Sequence, residues 1–537
     1  MTISSKRIFY FVWLALIGAF AALHALHLRA DFPNNTPWFM DWAKYTDEGW
    51  YGNAAIRAHL FGNWYLPGDF NPAPAVPVWP FLEWVLFFFT GVTVQAARGL
   101  AVAFFFVNLV LSYLLLRARG PRWMALFALT LLVTSPFLYC FSRLAILEPM
   151  LTAFTLGALN LAVRLPRWRR PVWASAWIGV LFALMMLTKT TAVFLLPALG
   201  WATLLPLWQS RKPWLRCALA AAAAFAASFG LWMALVVSRG LLADYKYLFF
   251  VNKYVKPKEF YWPLVSFWWS FHGGLWVDHL LIPLAGLLAL GAACAVLARR
   301  GAEGPSSAEW TAWGRKLLMD PVFGASVWAA AGYILFMTYQ DHPQPRYFAV
   351  VAFFSFFMVA QGAEALLGAT GRVRRLGWAV VAFAVLATGI DAATTLKYAL
   401  HPQYTFVKAA RQLTRYVDQH PNGKRLLVSI SGDQITLATH LPTLCDDFGT
   451  QELVAKLAAY QPGWYATWND IDPGTLEDLH NHYSLEQVAS FKAFDDPDRN
   501  LLVLFKLHPL PGGQVRSPSD QNLQIPLPGD KIEIPVQ

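Results

Sequence analysis

Long apolar segments recur along most of this chain, and they restrict its fold more than any other feature. Each is roughly 17–25 residues long, which is the length that a helix needs to cross a bilayer. Only 14% of the 537 residues are charged, against about 25% in soluble proteins. The pattern predicts a polytopic α-helical membrane protein with eleven transmembrane helices. The predicted spans are 8–28, 96–116, 123–140, 149–164, 172–188, 191–208, 214–236, 276–298, 321–338, 347–366 and 376–396.

Basic residues between these spans predict the orientation of the chain. A net charge of +11 could indicate nucleic acid binding in a soluble protein. Here Lys and Arg cluster in short gaps between apolar runs, as they do in cytoplasmic loops, so we expect no nucleic acid partner. We expect a bacterial inner-membrane protein with a cytoplasmic N-terminus and a periplasmic C-terminus. The clusters are Lys6-Arg7; Arg117, Arg119 and Arg122; Arg164, Arg167, Arg169 and Arg170; Arg211, Lys212 and Arg216; Arg299, Arg300, Arg315 and Lys316; and Arg372, Arg374 and Arg375.

Two apolar segments need separate interpretation. Residues 8–28 follow a basic pair as a signal peptide would, but they lack a small-x-small cleavage site, so we interpret them as an uncleaved helix. Counting the apolar run 79–91 as a span would reverse the orientation of every later loop. We therefore expect this run, which is rich in Trp and Phe, to form a helix on the outer membrane interface.

Composition divides the chain into three regions. Residues 1–396 are predicted to form the transmembrane domain, with 29–95 as the first periplasmic loop. Residues 397–510 combine helix-like polar stretches with short β-like runs, which predicts a small C-terminal periplasmic α/β domain. Residues 511–537 are rich in proline and lack apolar periodicity, so we expect a disordered tail.

Cysteines and paired acids are side chains of this chain that could bind a metal. Cys140, Cys217, Cys294 and Cys445 are scattered, with no CxxC or Cys/His spacing, so neither a zinc site nor a disulfide framework is expected. Asp446-Asp447 could bind a metal or form a turn, and the turn is the better interpretation.

Polar residues that are costly near hydrocarbon fall together on the predicted outer face. A carboxylate can remove a proton from an acceptor hydroxyl or amine, and Asp47 and Glu48 are the catalytic candidates. Lys and Arg can hold a phosphate, Arg through two hydrogen bonds and Lys as a point charge. The candidates for substrate binding on this face are Tyr51, Arg143, Glu148, Lys189, His342, Arg346 and Tyr347. A carboxylate base beside cations is what transfer from a phosphorylated lipid donor would require.

Several candidates also have a purely structural interpretation. Asp47-Glu48 could cap an interfacial helix, because acids favour a helix N-terminus. Arg143 and Glu148 could form an ion pair that closes a turn. Lys189 could extend to the interface as a long cationic side chain, and Arg346-Tyr347 could anchor the chain there.

The first outer segment resembles that of a known family. The run 47–57, Asp-Glu-Gly-Trp-Tyr-Gly-Asn-Ala-Ala-Ile-Arg, is similar to the first periplasmic loop of bacterial C-type (GT-C) glycosyltransferases, as is the run 61–67. This superfamily includes the protein O-mannosyltransferases and the lipid A aminoarabinose transferases, which resemble glycosyltransferase family 39. Further matches follow in the expected order at 95–98, 143–148, 187–189 and 345–347.

The resemblance implies transfer of a sugar from a polyprenyl-phosphate donor to an acceptor outside the membrane. Asp47 matches the first acid of the motif, which serves in the family as the catalytic base or as the group that orients the acceptor. Glu48 matches the second acid. Arg143, Lys189 and Arg346 become candidate contacts of the lipid phosphate.

The chain departs from the family pattern in two places. Many relatives carry a Lys-Pro pair before the interfacial helix, whereas this region reads Asn71-Pro72 and continues to Pro77 without a lysine. Lys189 or Arg346 could make the phosphate contact instead, or the donor could lie differently, and the particular lipid A activity is not implied. Asn71 is also a substrate-binding candidate. The Asp47-Glu48 pair also lacks the Asp-x-Asp spacing of metal-dependent oligosaccharyltransferases, so we expect no obligatory metal cofactor.

These observations predict an integral membrane glycosyltransferase of the inverting type. Its partners would be a polyprenyl-phosphate-linked sugar, the bilayer, and a lipid, glycan or protein acceptor in the periplasm. A transporter or flippase of lipid-linked sugars is the main alternative, although transporters usually carry charges in mid-span and repeated halves. A non-catalytic assembly protein for envelope polysaccharide is a further alternative.

Overall fold

A computed structural model describes residues 3–31, 46–251, 280–297, 305–340, 344–493 and 500–510. The α-helices, numbered in chain order, are α1 (Ile3–Leu23), α2 (Asp47–Phe61), α3 (Val78–Thr90), α4 (Val94–Arg117), α5 (Arg122–Thr134), α6 (Pro136–Phe141), α7 (Glu148–Ala162), α8 (Pro171–Met186), α9 (Leu196–Gln209), α10 (Trp214–Ser238), α11 (Leu242–Lys246), α12 (Leu281–Leu297), α13 (Pro305–Leu318), α14 (Pro321–Gln340), α15 (Phe348–Leu367), α16 (Gly371–Leu400), α17 (Thr405–Gln419), α18 (Gly432–Thr439), α19 (Leu453–Tyr460) and α20 (Pro473–His480). The strands are β1 (Lys424–Val428), β2 (Thr443–Leu444), β3 (Pro462–Trp468), β4 (Tyr483–Lys492) and β5 (Leu501–Pro509).

The predicted fold class is confirmed. Each predicted span falls on a helix, and seven helices in the described part of the chain are long and apolar enough to cross a bilayer. The chain is therefore a multi-pass membrane protein. The apolar run 79–91, predicted to be a separate interfacial helix, forms the short helix α3.

One predicted span is divided in the structure. The run 123–140 forms two helices, α5 and α6, which are separated by Ser135 in an extended conformation. The following residue, Pro136, has no N–H to donate and disfavours helical geometry in the residue before it. The Ser135 hydroxyl caps α6 by accepting a hydrogen bond from the Leu138 amide at 3.0 Å.

Helix burial separates the interior of the helical domain from its lipid-facing surface. In α15, 89% of the membrane-crossing segment is buried, as expected for a helix that is apolar on all sides. The corresponding figure is 6% for both α1 and α10. α15 therefore forms the centre of the helical domain, whereas α1 and α10 lie at its edge.

The C-terminal part contains one five-stranded mixed sheet with strand order β2-β1-β3-β5-β4. β1 pairs in parallel with β2 and β3, and β5 pairs antiparallel with β3 and β4. α17 packs on the sheet through Ala409 and Leu413, which share a core with Leu427, Trp464 and Leu504. A small α/β unit was predicted here, whereas its limits at 397 and 510 remain predictions. The tail 511–537 lies outside the described residues.

The helix α2 lies between the two parts of the chain. Ala55 and Ile56 of α2 share an apolar cluster with Trp79 of α3 and with Leu437 of α18. One side of α2 therefore packs on the helical domain and another on the C-terminal sheet domain. The residues at its N-terminus, Asp47 and Glu48, consequently lie where these parts meet.

Candidate functional site

The first turn of α2 carries both catalytic candidates. Acidic residues are favoured there because the helix dipole is positive at its N-terminus, and the helix ends at Gly62 in a left-handed conformation with φ of 77°. Both carboxylates are buried, with 1% of Asp47 and 0% of Glu48 exposed. The Thr46 hydroxyl donates to the Asp47 carboxylate at 3.1 Å instead of capping the helix. The two acids fit the capping interpretation as well as the catalytic one, because burial alone does not distinguish them.

Asp47 contacts one of the predicted phosphate-binding cations. Its Oδ2 atom lies 3.0 Å from Nε of Arg346, and both side chains are at least 95% buried. Arg346 occupies a short 3₁₀ turn, Pro345–Tyr347, that immediately precedes α15. Residues 47 and 346, which are distant in sequence, thus form a buried ion pair.

A second ion pair lies in the same region. Nζ of Lys189 lies 2.6 Å from Oε1 of Glu148, the first residue of α7. The Lys189 ammonium is 4.8 Å from the ring centroid of Tyr347 and 5.6 Å from that of Tyr51. Burial lowers the pKa of Lys189, and the nearby Glu148 carboxylate opposes this shift.

The Tyr347 ring joins the two ion pairs, because the Arg346 guanidinium also lies over it at 4.9 Å. We call these six side chains the charged group; its members are Asp47, Tyr51, Glu148, Lys189, Arg346 and Tyr347. It contains two carboxylates and two cations, so its formal charge is balanced. The cations are available to an entering phosphate if they exchange their carboxylate partners for it.

Glu48 has different surroundings from Asp47. Both of its carboxylate oxygens accept from Arg98 of α4, from Nε at 2.6 Å and from Nη2 at 2.6 Å. The amide of Ala145 donates to Oε1 at 2.9 Å, and Nε2 of Gln434 donates to Oε2 at 2.8 Å. A carboxylate offers about four acceptor positions. Protein groups therefore fill the hydrogen-bonding capacity of Glu48.

The structure does not place Arg143 in the charged group. Its guanidinium donates to the carbonyls of Leu26 and His27 and to the Tyr139 hydroxyl. It lines a separate small cavity of about 30 Å³ together with Arg98. The alternative ion pair between Arg143 and Glu148 is also not formed, because Glu148 pairs with Lys189.

The other predictions for this face have mixed outcomes. Lys189 does not extend to an interface, since only 5% of its side chain is exposed and Glu148 holds it. Asn71 is buried beside Asp244 of α11, whose pKa burial raises to about 6. His342 lies outside the described residues.

A polar network joins α2 to the C-terminal domain. Arg57 of α2 lies 3.3 Å from carboxylate oxygens of both Asp69 and Asp433, and all three side chains are at least 96% buried. Nδ2 of Asn53 donates to the other oxygen of Asp433 at 2.6 Å. Burial raises the pKa of Asp433 to about 7, and the Arg57 guanidinium opposes this shift.

Sequence reasoning missed the polar residues that hold α2 against α4 and against the C-terminal domain. Arg57 and Arg98 stood in the segments that resemble the family, but neither was considered for a role. Arg98 could have been suspected because a charged residue inside an apolar helix needs a buried partner. Asp433 and Gln434 carry no local signal, since their partners in α2 are more than 370 residues away.

Cys445, Asp446 and Asp447 form a cluster of possible metal ligands. Their possible ligand atoms lie within 4.8 Å of one another. However, the Lys456 ammonium donates to the backbone oxygens of Cys445 and Phe448 and so places a positive charge beside them. This ammonium would repel a divalent cation, which agrees with a turn as the better interpretation of Asp446-Asp447.

Comparison with known proteins agrees with the fold. The family described as dolichyl-phosphate-mannose-protein mannosyltransferase matches residues 72–232. The structure is similar to ArnT from Cupriavidus metallidurans in the apo state, with a TM-score of 0.56 and 13% identity, covering 92% of this chain and 98% of that chain. It is also similar to the oligosaccharyltransferase AglB from Archaeoglobus fulgidus in complex with an inhibitory peptide and a dolichol-phosphate, with a TM-score of 0.51 and 12% identity, covering 92% of this chain and 74% of that chain.

No curated protein matches the chain in sequence. Identities of 12–13% establish likeness of fold alone. The fold and the family match over residues 72–232 agree with the resemblance of the first outer segment to the GT-C glycosyltransferases.

Proposed function

We propose that this protein transfers a sugar from a polyprenyl-phosphate-linked donor to an acceptor at the outer face of the bacterial inner membrane. The observation that carries the proposal is the charged group, in which a buried carboxylate, Asp47, lies beside two buried cations, Lys189 and Arg346. This combination suits removal of a proton and stabilisation of a phosphate in one place. The acceptor can be a lipid, a glycan or a protein.

In the proposed reaction, an acceptor hydroxyl or amine attacks the anomeric carbon of the donor sugar. The bond between that carbon and the phosphate oxygen breaks, and its electron pair leaves with the polyprenyl phosphate. Asp47 takes the acceptor proton. Lys189 and Arg346 stabilise the charge that develops on the leaving phosphate, because preorganised cations act strongly in a site that excludes water.

The remaining members of the charged group position these three residues. Glu148 holds the Lys189 ammonium at 2.6 Å until a phosphate replaces it. Tyr347 lies against both cations, at 4.8 Å from Lys189 and 4.9 Å from Arg346, and so fixes their separation. Glu48, whose acceptor positions are filled, anchors the first turn of α2 rather than contacting substrate.

Two comparisons support the class of donor. The matching family is described by a dolichyl-phosphate-mannose donor, and the AglB structure contains a dolichol-phosphate and an inhibitory peptide. In the described residues the charges of the proposed site lie at helix ends and short turns rather than in mid-span. No observation favours the alternative of a transporter or flippase.

The proposal is tested with purified protein in lipid nanodiscs and a radiolabelled polyprenyl-phospho-sugar. We expect the wild-type protein to convert the donor into free polyprenyl phosphate in the presence of an extract of periplasmic lipids, glycans and proteins. Comparing the glycolipids and glycoproteins of a deletion strain by mass spectrometry identifies the acceptor. Relocation of intact donor across the membrane, without cleavage, would instead support the flippase.

A further inference from the structure

The residue that precedes α2, Thr46, does not cap the helix with its side chain. The first four N–H groups of a helix have no partner within the helix, and a side chain just before it usually accepts from one of them. Here the Thr46 side chain donates to Asp47 and makes no cap hydrogen bond. The N–H of Gly49 donates instead to Oε1 of Gln434, at 2.8 Å and 385 residues away. The C-terminal domain therefore supplies the missing cap.

The side-chain amide of Gln434 also contacts the carboxylate of Glu48. While Oε1 of Gln434 accepts from Gly49, its Nε2 donates to Oε2 of Glu48 at 2.8 Å. The two hydrogen bonds use opposite ends of one planar amide, so they fix both the backbone and a side chain of the first turn. Asp47 belongs to that turn, and its position depends on how the turn is held.

The fit between α2 and α18 leaves no space for a side chain at Gly49. A Cβ atom there would lie 2.2 Å from the backbone carbon of Asp433 and 2.3 Å from the backbone nitrogen of Gln434. The two backbones therefore approach each other directly. This close approach is a property of the folded pair and not of either helix alone.

We infer that Gln434 is a positioning residue through which the C-terminal domain holds the first turn of α2, and with it Asp47, in the geometry for transfer. This inference rests on the proposed function. It gives the C-terminal domain a part in catalysis that does not require contact with the acceptor. Removing the contact should therefore lower kcat while leaving the KM for the donor nearly unchanged, because Lys189 and Arg346 lie on other elements.

The test uses the full-length protein and two substitutions of similar size. Gln434→Leu removes both hydrogen bonds, and a hydrogen bond to a charged group is worth a factor of about 10–100. We expect kcat to fall at least about tenfold at every pH. Gln434→Glu retains an acceptor for Gly49 but places a second carboxylate against Glu48. Two carboxylates in contact share a proton at low pH and repel each other at high pH.

The pH dependence of Gln434→Glu is therefore the diagnostic measurement. We expect its kcat relative to wild type to recover about tenfold or more as pH falls from 8 to 5, because a shared proton restores the bridge. Gln434→Leu should show a flat ratio over the same range. The matched control is Gln487→Glu, an exposed position on β4 in the same domain, which should behave as wild type throughout.

Gly49→Ala disrupts the contact between α2 and α18 from the side of α2, because its Cβ atom would collide with the backbone of Asp433. Alanine favours helix over glycine, so a loss of activity in this variant reports the lost approach to α18 rather than a weaker α2. We expect kcat to fall at least as far as in Gln434→Leu. Thermal melting of each variant in detergent gives the folded fraction, by which each kcat is corrected.

The outcomes separate this inference from the proposed function. If Gln434→Leu keeps its kcat within twofold of wild type while Asp47→Asn is inactive, the positioning role is refuted and the proposed function stands. Equally low, pH-independent activity in both Gln434 variants, explained by loss of folded protein, also refutes it. If the wild-type protein leaves the donor intact, the proposed function itself is wrong.

Discussion

Asp47 and Glu48 are adjacent on the first turn of α2, yet they belong to two regions with different chemistry. Asp47 is part of the charged group, where Arg346 and Lys189 are held by one carboxylate each. Glu48 belongs to the contact between α2, α4 and α18, where four donors fill a single carboxylate. The charged group can exchange its partners for a ligand. The Glu48 contact cannot do so without leaving buried donors unsatisfied, which is costly. Matched substitutions in the two regions should therefore separate activity from stability.

The largest effect on activity is expected for Asp47→Asn. The amide cannot take a proton from the acceptor, and loss of a general base typically costs a factor of about 10²–10⁴ in rate. The amide oxygen can still accept from Arg346, but the buried guanidinium loses its countercharge, so we expect a moderate fall in melting temperature. The measurement is donor cleavage in nanodiscs. Asp418→Asn, at a half-exposed carboxylate paired with Arg425, serves as the control and should remain active. Full activity of Asp47→Asn would remove this residue from the mechanism.

Glu48→Gln should lower stability more than Asp47→Asn does. One oxygen of the acceptor pair becomes an NH₂ group that faces donors from Arg98, Ala145 and Gln434. Breaking a buried ion pair destabilises a protein by about 3–5 kcal/mol. We expect a clear fall in melting temperature and in yield of inserted protein, larger than for Asp47→Asn. Equal stability of the two variants would contradict the contrast between the regions.

The Glu148–Lys189 pair allows a test of phosphate binding with a built-in control. Lys189→Met alone leaves Glu148 buried without its 2.6 Å partner and should be unstable. Combining it with Glu148→Gln removes both charges, so we expect stability to return. Activity should stay at least about tenfold below wild type, because the contribution of the ammonium to the phosphate is lost. Recovery of both stability and activity in the double variant would show that Lys189 has a structural role only.

The smallest effect concerns the pH dependence of the contact between α2 and the C-terminal domain. Burial raises the pKa of Asp433 to about 7 from its usual 3.8. The folded state therefore binds this proton more tightly than the unfolded state, and the resulting stabilisation is lost as pH rises through about 7. Melting temperatures measured between pH 5 and 8 should fall with pH less steeply in Asp433→Asn than in wild type. Parallel pH profiles would show that Asp433 does not titrate in this range.

Local patterns were sufficient for the helices and for part of the charged group. Apolar run length predicted where the apolar helices of the described residues lie, and seven of these helices are long enough to cross a bilayer. The division at Ser135 was missed although Pro136 marks it, since the apolar run continues across both residues. Asp47, Lys189 and Arg346 stood out because buried charge near hydrocarbon is costly. The same cost also made Arg143 a candidate for substrate binding, but the structure places it beside Tyr139 and away from Asp47.

The sequence by itself determined that this chain crosses a membrane many times and that acids and cations gather near the ends of its helices. Hydropathy and charge act locally, so they can be read from neighbouring residues. Only the tertiary structure decided which carboxylate remains exchangeable and which becomes an anchor. That difference depends on Arg98, Ala145 and Gln434, which reach Glu48 from 50, 97 and 386 residues away. Contacts at such separations are set by the packing of α2 between two domains, and no local pattern encodes them.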